Sequence, residues 1–351
     1  MEGEGKAAPP KNQFLQSQPG DSMKLNSNRS PFKVPNFAWL TLTLVFGIVV
    51  VWSTALIGSL SGSLASWVAV VLSMVAAFAA FTGLHDASHF ALGRKRWLSI
   101  VAGEVCSIIL LANFQMFRQV HNRHHRHTND PVLDPDAWLG KGPVWLLPIR
   151  WAFVDLHYLL EFDRKALRIT KWERAASWIG AMIVIALAVA LIGAGQWWQL
   201  LFLWILPARL SLLCATYYAD FVPHQRPRAT PKKSHPLHHT ANLRGRWWGW
   251  LLLGHNLHLI HHLYPAVPFY QCFRIWEERR SELLSRGARE VNLFRMEKPT
   301  TGTLHNLARM RTSSTGNRIC TMPAYPHNYP ALQSNFASRN LGRSYGTSVR
   351  A

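Results

Sequence analysis

LASWVAVVLSMVAAFAAFTGLHDASHFALGRKR, residues 64–96, runs without a charge from 64 to 84 and then changes character at once. A run of about 20 apolar residues is long enough to cross a hydrocarbon core of about 30 Å as a helix. HDASH follows directly, and Arg94-Lys95-Arg96 soon after, so a span ends in histidines and then in cationic residues. Three more segments, 37–58, 175–195 and 196–218, are as long and as apolar, and within them Arg209 is the one charge. Arg29 and Lys33 precede the first span, and Arg94, Lys95 and Arg96 follow the second. Lys171 and Arg174 precede the third, and Arg226, Arg228, Lys232 and Lys233 follow the fourth. Lysine and arginine stay on the cytoplasmic side. Both termini and both large loops are therefore expected in the cytoplasm, with short connections near 59–63 and 193–196 outside.

The 38 Lys and Arg against 18 Asp and Glu give a formal net charge of +20. Because the cations flank apolar spans and no nucleic-acid motif is present, they read as loops facing anionic lipid rather than as a nucleic-acid surface. Cys106, Cys214, Cys272 and Cys320 form no C-x-x-C pair, which argues against a disulfide framework and a thiolate metal site. Residues 1–33 are polar, contain Glu2, Glu4 and Asp21, and read as a disordered tail and a poor targeting peptide. Residues 34–290 form the expected membrane domain. Residues 291–351, with no carboxylate after Glu297, read as a basic, disordered tail. The apolar stretch 98–117 is long enough to span and carries Glu104. A crossing there would put the histidines before and after it on opposite sides of the membrane, so a re-entrant or interfacial helix pair is expected, as for 143–160. Glu104 and Arg209 are costly in lipid and need a partner. They are candidates to pair with each other, although Arg209 can equally snorkel to the interface. Trp247, Trp248 and Trp250 read as an interfacial belt rather than as tunnel lining.

The histidines fall into three groups. His85 and His89 are at i, i+4; His121, His124 and His125 are at i, i+3, i+4; His258, His261 and His262 repeat that spacing. Each group shares one face of a helix. His224, in DFVPH (220–224), brings the number to nine, too many for one metal and suited to two with an open position each. Imidazole serves iron, zinc and copper. The H-E-x-x-H of zinc proteases is absent, zinc has no redox chemistry, and the carboxylate ligands of ferritin-like di-iron sites are missing. From a different class, a non-enzymatic metal transport or storage protein would place its ligands along a transmembrane path or in one His-rich loop. Here the spans are almost free of polar residues.

Together, HDASH (85–89), VHNRHHRHTNDPVLDPD (120–136), DFVPH (220–224) and GHNLHLIHHLYPAVPFY (254–270) resemble the membrane fatty acid desaturase and hydroxylase superfamily. Within it they resemble the beta-carotene ring hydroxylases of the bacterial and cyanobacterial type. The resemblance runs from about 37 to 285 and implies an all-α integral membrane fold. Four transmembrane helices would carry a cytoplasmic helical cap holding a histidine-rich di-iron site. The implied ligands are His85, His89, His121, His124, His125, His224, His258, His261 and His262. Asp220, one helical turn before His224, would meet an iron directly or through water, or else cap a helix. Behind the ligands, Asn129, Asp130, Asp134 and Asp136 would accept hydrogen bonds from ligand N–H groups, with His127 and His255 in the same layer. His255 stands where the carotenoid group would carry Gln. His157, His235, His238, His239, His305 and His327 are expected in loops or on the surface.

The implied chemistry is dioxygen-dependent oxidation of C–H bonds in a long apolar lipid, most directly carotenoid ring hydroxylation. Fatty-acyl desaturation, or decarboxylation of a fatty acid to a terminal alkene, would use the same ligand set. The chain has no haem or ferredoxin cysteine pattern, and its Gly3-Glu-Gly5 has no strand before it. A separate ferredoxin- or cytochrome-type electron carrier is therefore expected, drawn to the basic face if acidic.

Overall fold

In hydrocarbon a peptide group has no water to bond and must bond within its own segment, so apolar runs of bilayer length become helices. The computed structural model describes residues 34–162, 169–224 and 237–294. Among them, four helical segments are long and apolar enough to cross a membrane: α1 (Trp39–Leu60), α2 (Ser66–Ser88), α7 (Lys171–Gly193) and Trp197–Phe221. These overlie the four expected spans. α7 starts earlier than the apolar run because Thr170 and Glu173 form a reciprocal capping box, with bonds of 3.1 and 2.7 Å. The fourth span is composite. α8 (Trp197–Leu200) passes through a π-helical turn (Leu201–Ile205) into α9 (Leu206–Ala215), and a second π turn (Thr216–Phe221) follows. Pro207, which has no N–H to donate, sits directly after the first widened turn.

α2 is the central helix. Small residues, Ala69, Ser73, Ala76, Ala77, Ala80 and Gly83, are buried along it, and such residues let membrane helices approach closely. At Gly83 a Cβ would lie 2.6 Å from Cys106 Sγ and 2.9 Å from Val45 Cγ2, so α1 and α3 (Arg96–Leu110) both press on that point. α3 and α4 (Phe114–His127) form a pair bent by 103°. Leu111 takes a left-handed φ of 53°, and Asn113 caps α4 by accepting from Met116 N at 2.9 Å. The chain thus turns back at 111–113, as expected for a stretch that does not cross, and the histidines on either side of the turn meet.

The cap consists of α5 (Leu147–Ala152), α6 (Val154–Glu161), α10 (Arg246–Leu251), α11 (His258–Leu263) and α12 (Phe269–Ser285). A two-residue parallel pairing of β1 (Asn242–Leu243) with β2 (Glu290–Val291) is a small departure from the all-α expectation. Asp86 fastens cap to stem: its Oδ2 accepts from Thr41 Oγ1 on α1 and from Phe269 N at the start of α12, both at 3.1 Å. The packed chain also continues past 290. Leu293 is buried and its carbonyl accepts from Tyr217 Oη at 3.0 Å. Residues 1–33 and 295–351, expected as tails, lie outside the described residues.

The expected pairing of Glu104 with Arg209 is not what the fold makes. Arg209 meets Asp155 in a two-pronged bridge of 2.8 and 3.0 Å and donates to the Leu110 and Ala152 carbonyls. A fork-to-fork pair of this kind satisfies a guanidinium better than a single contact. Glu104 instead accepts from Ser177 Oγ at 2.6 Å and Gln115 Nε2 at 3.3 Å.

Candidate metal centre

Three helical pieces and one span end converge at the stem–cap junction. His85 near the C-terminus of α2, His89 as its C-cap, His121 on α4 and His261 on α11 form one group. Their ligand nitrogens all lie within 4.8 Å of one another. His124 on α4, His224 beyond the second π turn, and His258 and His262 on α11 form a second group by the same measure. Each H-x-x-H-H box is therefore divided. A helix turns 100° per residue, so i and i+4 lie nearly in line while i+3 falls to one side. On α11, His258 and His262 go to one group and His261 to the other. His125 belongs to neither set of four but lies between them. Its Nε2 is 2.9 Å from His261 Nε2 and 3.1 Å from His121 Nε2, and its ring centroid is 4.2 Å from that of His262.

The side chains around these nitrogens suit a metal. Burial, and then the neighbouring imidazoles, push His121, His125, His224, His258, His261 and His262 well below the ordinary histidine range. These rings are therefore neutral near pH 7, which is the ligating form. Nε2 of His258 lies 2.9 Å from Nε2 of both His224 and His262, so three rings aim at one point. Nδ1 of His85 is buried with no hydrogen-bond partner among the described residues. His124 behaves differently. Burial alone would lower it, but Asp134 and Asp136, 2.9 and 3.2 Å from its Nδ1, raise it to about 9. That contact orients the ring with Nε2 facing the second group, and a metal bound there would displace the Nε2 proton that the ring otherwise carries near pH 7.

The other residues singled out in the sequence have distinct surroundings. Asp134 accepts from His124 and from the backbone N–H of Asn129 and Asp136. Asp136 accepts from Tyr158 Oη at 2.8 Å, and burial raises its carboxyl to about 6. Asn129 takes a left-handed φ of 61° and donates to the His239 carbonyl. Asp130 accepts from Val132 and Leu133 N, holding the turn after α4, and His127 ends that helix half-buried. His255 sits 3.1 Å from Thr82 Oγ1, with its ring 4.8 Å from His85. Asp220 lies outside both four-histidine groups. It lines a closed space of about 20 Å³ with Phe81, Phe117, Tyr158 and Thr216.

Two histidines expected in loops or on the surface are not there. His239 is 0 % exposed, with its ring 5.1 Å from His262. It follows a polar stretch with no periodicity, so nothing local in the sequence signals its burial. His157 stacks on Trp138 at 4.2 Å and contacts the Pro135 carbonyl. His238 is half-buried, while His235, His305 and His327 lie outside the described residues. Trp247 and Trp250 are both exposed, as belt residues would be, and Trp250 also stacks on Phe273 at the edge of a groove.

Residues 61–292 match the fatty acid desaturase family, and the chain belongs to it. It is an oxidoreductase, as the family's members are. It is 25% identical over 268 residues to the sn-1 oleoyl-lipid 12-desaturase of Arthrospira platensis, covering 66% of this chain and 73% of that one. It is 27% identical to the zeaxanthin 4-ketolase of Chlamydomonas reinhardtii over 64% of this chain, spanning 46% of that protein's length. It is also 27% identical to the acyl-lipid (7-3)-desaturase of Diacronema lutheri, with coverages of 56% and 53%.

Proposed function

We propose that the chain is a dioxygen-dependent di-iron membrane oxidoreductase that hydroxylates the ring of a carotenoid, with its active site and both termini in the cytoplasm. The observation that carries the metal chemistry is the pair of four-histidine groups, each with its ligand atoms within 4.8 Å. Nitrogen ligands with few carboxylates suit a redox metal such as iron. His85, His89, His121 and His261 would hold one iron, and His124, His224, His258 and His262 the other, with His125 between them. The chemistry that iron would supply there is reduction of dioxygen to an oxidant able to break an unactivated C–H bond. Hydroxylation consumes one dioxygen, two electrons and two protons and yields an alcohol and one water. The electrons come from a separate ferredoxin- or cytochrome-type carrier.

The chain's own residues do the positioning. Asp134 and Asp136 orient His124, and with Asn129 they tie the loop after α4 to the cap. Phe117 stacks on His121 at 5.1 Å and, with Phe81 and Leu84, keeps water from the stem side. Asp220 faces the same small space and is the nearest candidate to touch reacting atoms. The carotenoid substrate is supported by the four sequence stretches and by the likeness to the ketolase. A second reading, desaturation of a lipid-bound acyl chain, is favoured by the likeness to the 12-desaturase.

The test is expression of the parent chain and His261→Ala in a host that makes both beta-carotene and ordinary fatty acids, followed by mass spectrometry of extracted lipids. A hydroxylated carotenoid from the parent alone is the expected result. New acyl double bonds or terminal alkenes would replace the substrate but keep the metal chemistry. No change in any lipid pool, with an electron donor supplied, would sink the proposal.

A further inference from the structure

A groove of about 1040 Å³ lies between α1, α2 and the cap, on the side of α2 that faces α12. That volume is at the upper end of ligand pockets, which run from about 300 to 1,000 Å³. Its stem wall is apolar, with Leu44, Gly47, Ala76 and Ala79 along it, and Leu40 and Val75 at its edge are more than half exposed. For side chains on membrane helices that exposure is to hydrocarbon, so an occupant arrives sideways from the bilayer. At the cap rim stand Arg244, Arg280, Glu277 and Glu290, two cations against two carboxylates, with Arg280 and Glu290 paired at 2.9 Å. The rim has no net charge to offer an ionised fatty acid or an acyl group on a polyanionic carrier.

Besides the charged rim, the lining includes the polar side chains of Thr43, Tyr270 and Asn256, and of these three Asn256 is the one with a buried atom left unpartnered. Asn256, 4 % exposed, contributes to the groove wall, and its Oδ1 is buried with no hydrogen-bond partner among the described residues. An unmet buried amide oxygen is costly unless a ligand meets it. A hydroxyl both donates and accepts, so it satisfies the amide whichever way the group is turned. Asn256 lies between His255, whose ring touches that of His85, and His258 of the second histidine group.

From these features we infer that the groove binds the lipid on which the metal centre acts, and that this lipid is uncharged, long and already carries one hydroxyl group, held by Asn256. The inference rests on the metal-centre reading above, and binding can be measured apart from turnover. Gly47 provides the variant: it lines the groove and a Cβ there meets nothing within 4 Å, so the side chain of Gly47→Phe starts into open space. Replacing a helix-interior glycine also favours the helix. Gly193→Phe on α7, equally open and away from the groove, controls for bulk.

The experiment uses the full-length, iron-loaded chain in phosphatidylcholine nanodiscs, with a monohydroxylated carotenoid, beta-carotene and oleate as separate probes. The parent and Gly193→Phe are expected to bind the hydroxylated carotenoid most tightly. Gly47→Phe is expected to bind it at least tenfold more weakly, with iron content unchanged. Asn256→Leu is expected to lose about tenfold for the hydroxylated probe and little for beta-carotene, the size of one hydrogen bond. His261→Ala is expected to bind lipid as the parent does while oxidising none. Parental affinity in Gly47→Phe, or a preference for oleate, would overturn the inference. Groove binding that follows the expected pattern, with no lipid oxidised by the parent, would leave the groove standing and remove the oxygenase reading instead.

Discussion

At the scale of single residues, the centre is a set of imidazoles, neutral near pH 7 at His121, His125, His224, His258, His261 and His262, with His124 raised by the carboxylates beside it. Asp134→Asn removes the carboxylate 2.9 Å from His124 Nδ1 while keeping the side chain's size. It is expected to weaken iron binding 10- to 100-fold, the usual cost of losing such a partner. Iron titration of the purified protein measures this, and parental affinity would show that Asp136 alone orients the ring. The buried histidines also set a pH dependence for the iron-free protein. His121, His125, His224, His258, His261 and His262 have folded-state values well below the unfolded 6.5. As the pH falls below about 6.5 the unfolded chain therefore gains protons that the folded one refuses, at about 1.4 kcal/mol per pH unit for each ring. His124, raised to about 9, has the opposite sign: its contribution is complete below about 6.5 and is lost as the pH rises through 9. Asp136, raised to about 6, offsets part of this loss below pH 6, but with six rings on the other side iron-free protein in detergent should lose melting temperature from pH 7 to 5. A flat profile over that range would count against the burial of these rings. The spacing of the boxes was legible in the sequence because i, i+4 geometry is local. The burial of His239 was not, because it depends on packing against His262 from another segment.

At the scale of elements, the bent α3–α4 pair and the attachment of α12 decide whether a centre forms at all. The turn at 111–113 was legible through its consequence, since histidines at 85–89 and 121–125 cannot share a metal across a bilayer. Its cause, a left-handed Leu111 with an Asn113 cap, was read only in the fold. Asp86 lies inside the first histidine box, with Oδ1 3.9 Å from His85 Nδ1, while its Oδ2 is held by Thr41 and Phe269 N. Asp86→Leu should therefore loosen α12 from the stem. Faster hydrogen exchange across 264–285 is expected, together with a lower melting temperature. Unchanged exchange in that segment would show that packing alone holds the cap. The division of each H-x-x-H-H box between two groups also belongs to this scale. It follows from how α4 and α11 are rotated about their axes against α2, which no box reveals by itself.

For the whole molecule, the proposed arrangement of four spans with the histidines gathered at one end is expected to put the short 61–65 connection and the cap loop around Val132 on opposite sides of the bilayer. In a background of Cys214→Ser and Cys320→Ser, Ser61→Cys and Val132→Cys should react with a membrane-impermeant maleimide from opposite faces of sealed vesicles. The Val132→Cys variant is expected on the cytoplasmic face, and labelling of both from one face would refute the four-span arrangement. The sequence by itself determined the spans, the side expected to carry the cations, and the residue types of the centre. These depend on local composition measured against a hydrocarbon thickness and on the period of a helix. Tertiary structure alone decided which histidine joins which group, that Arg209 is met by Asp155 and Glu104 by Ser177, and that an apolar groove lies along α1 and α2 with one unmet amide in its wall. Those outcomes depend on how helices far apart in the chain are rotated and seated against one another, and no window of sequence contains that information.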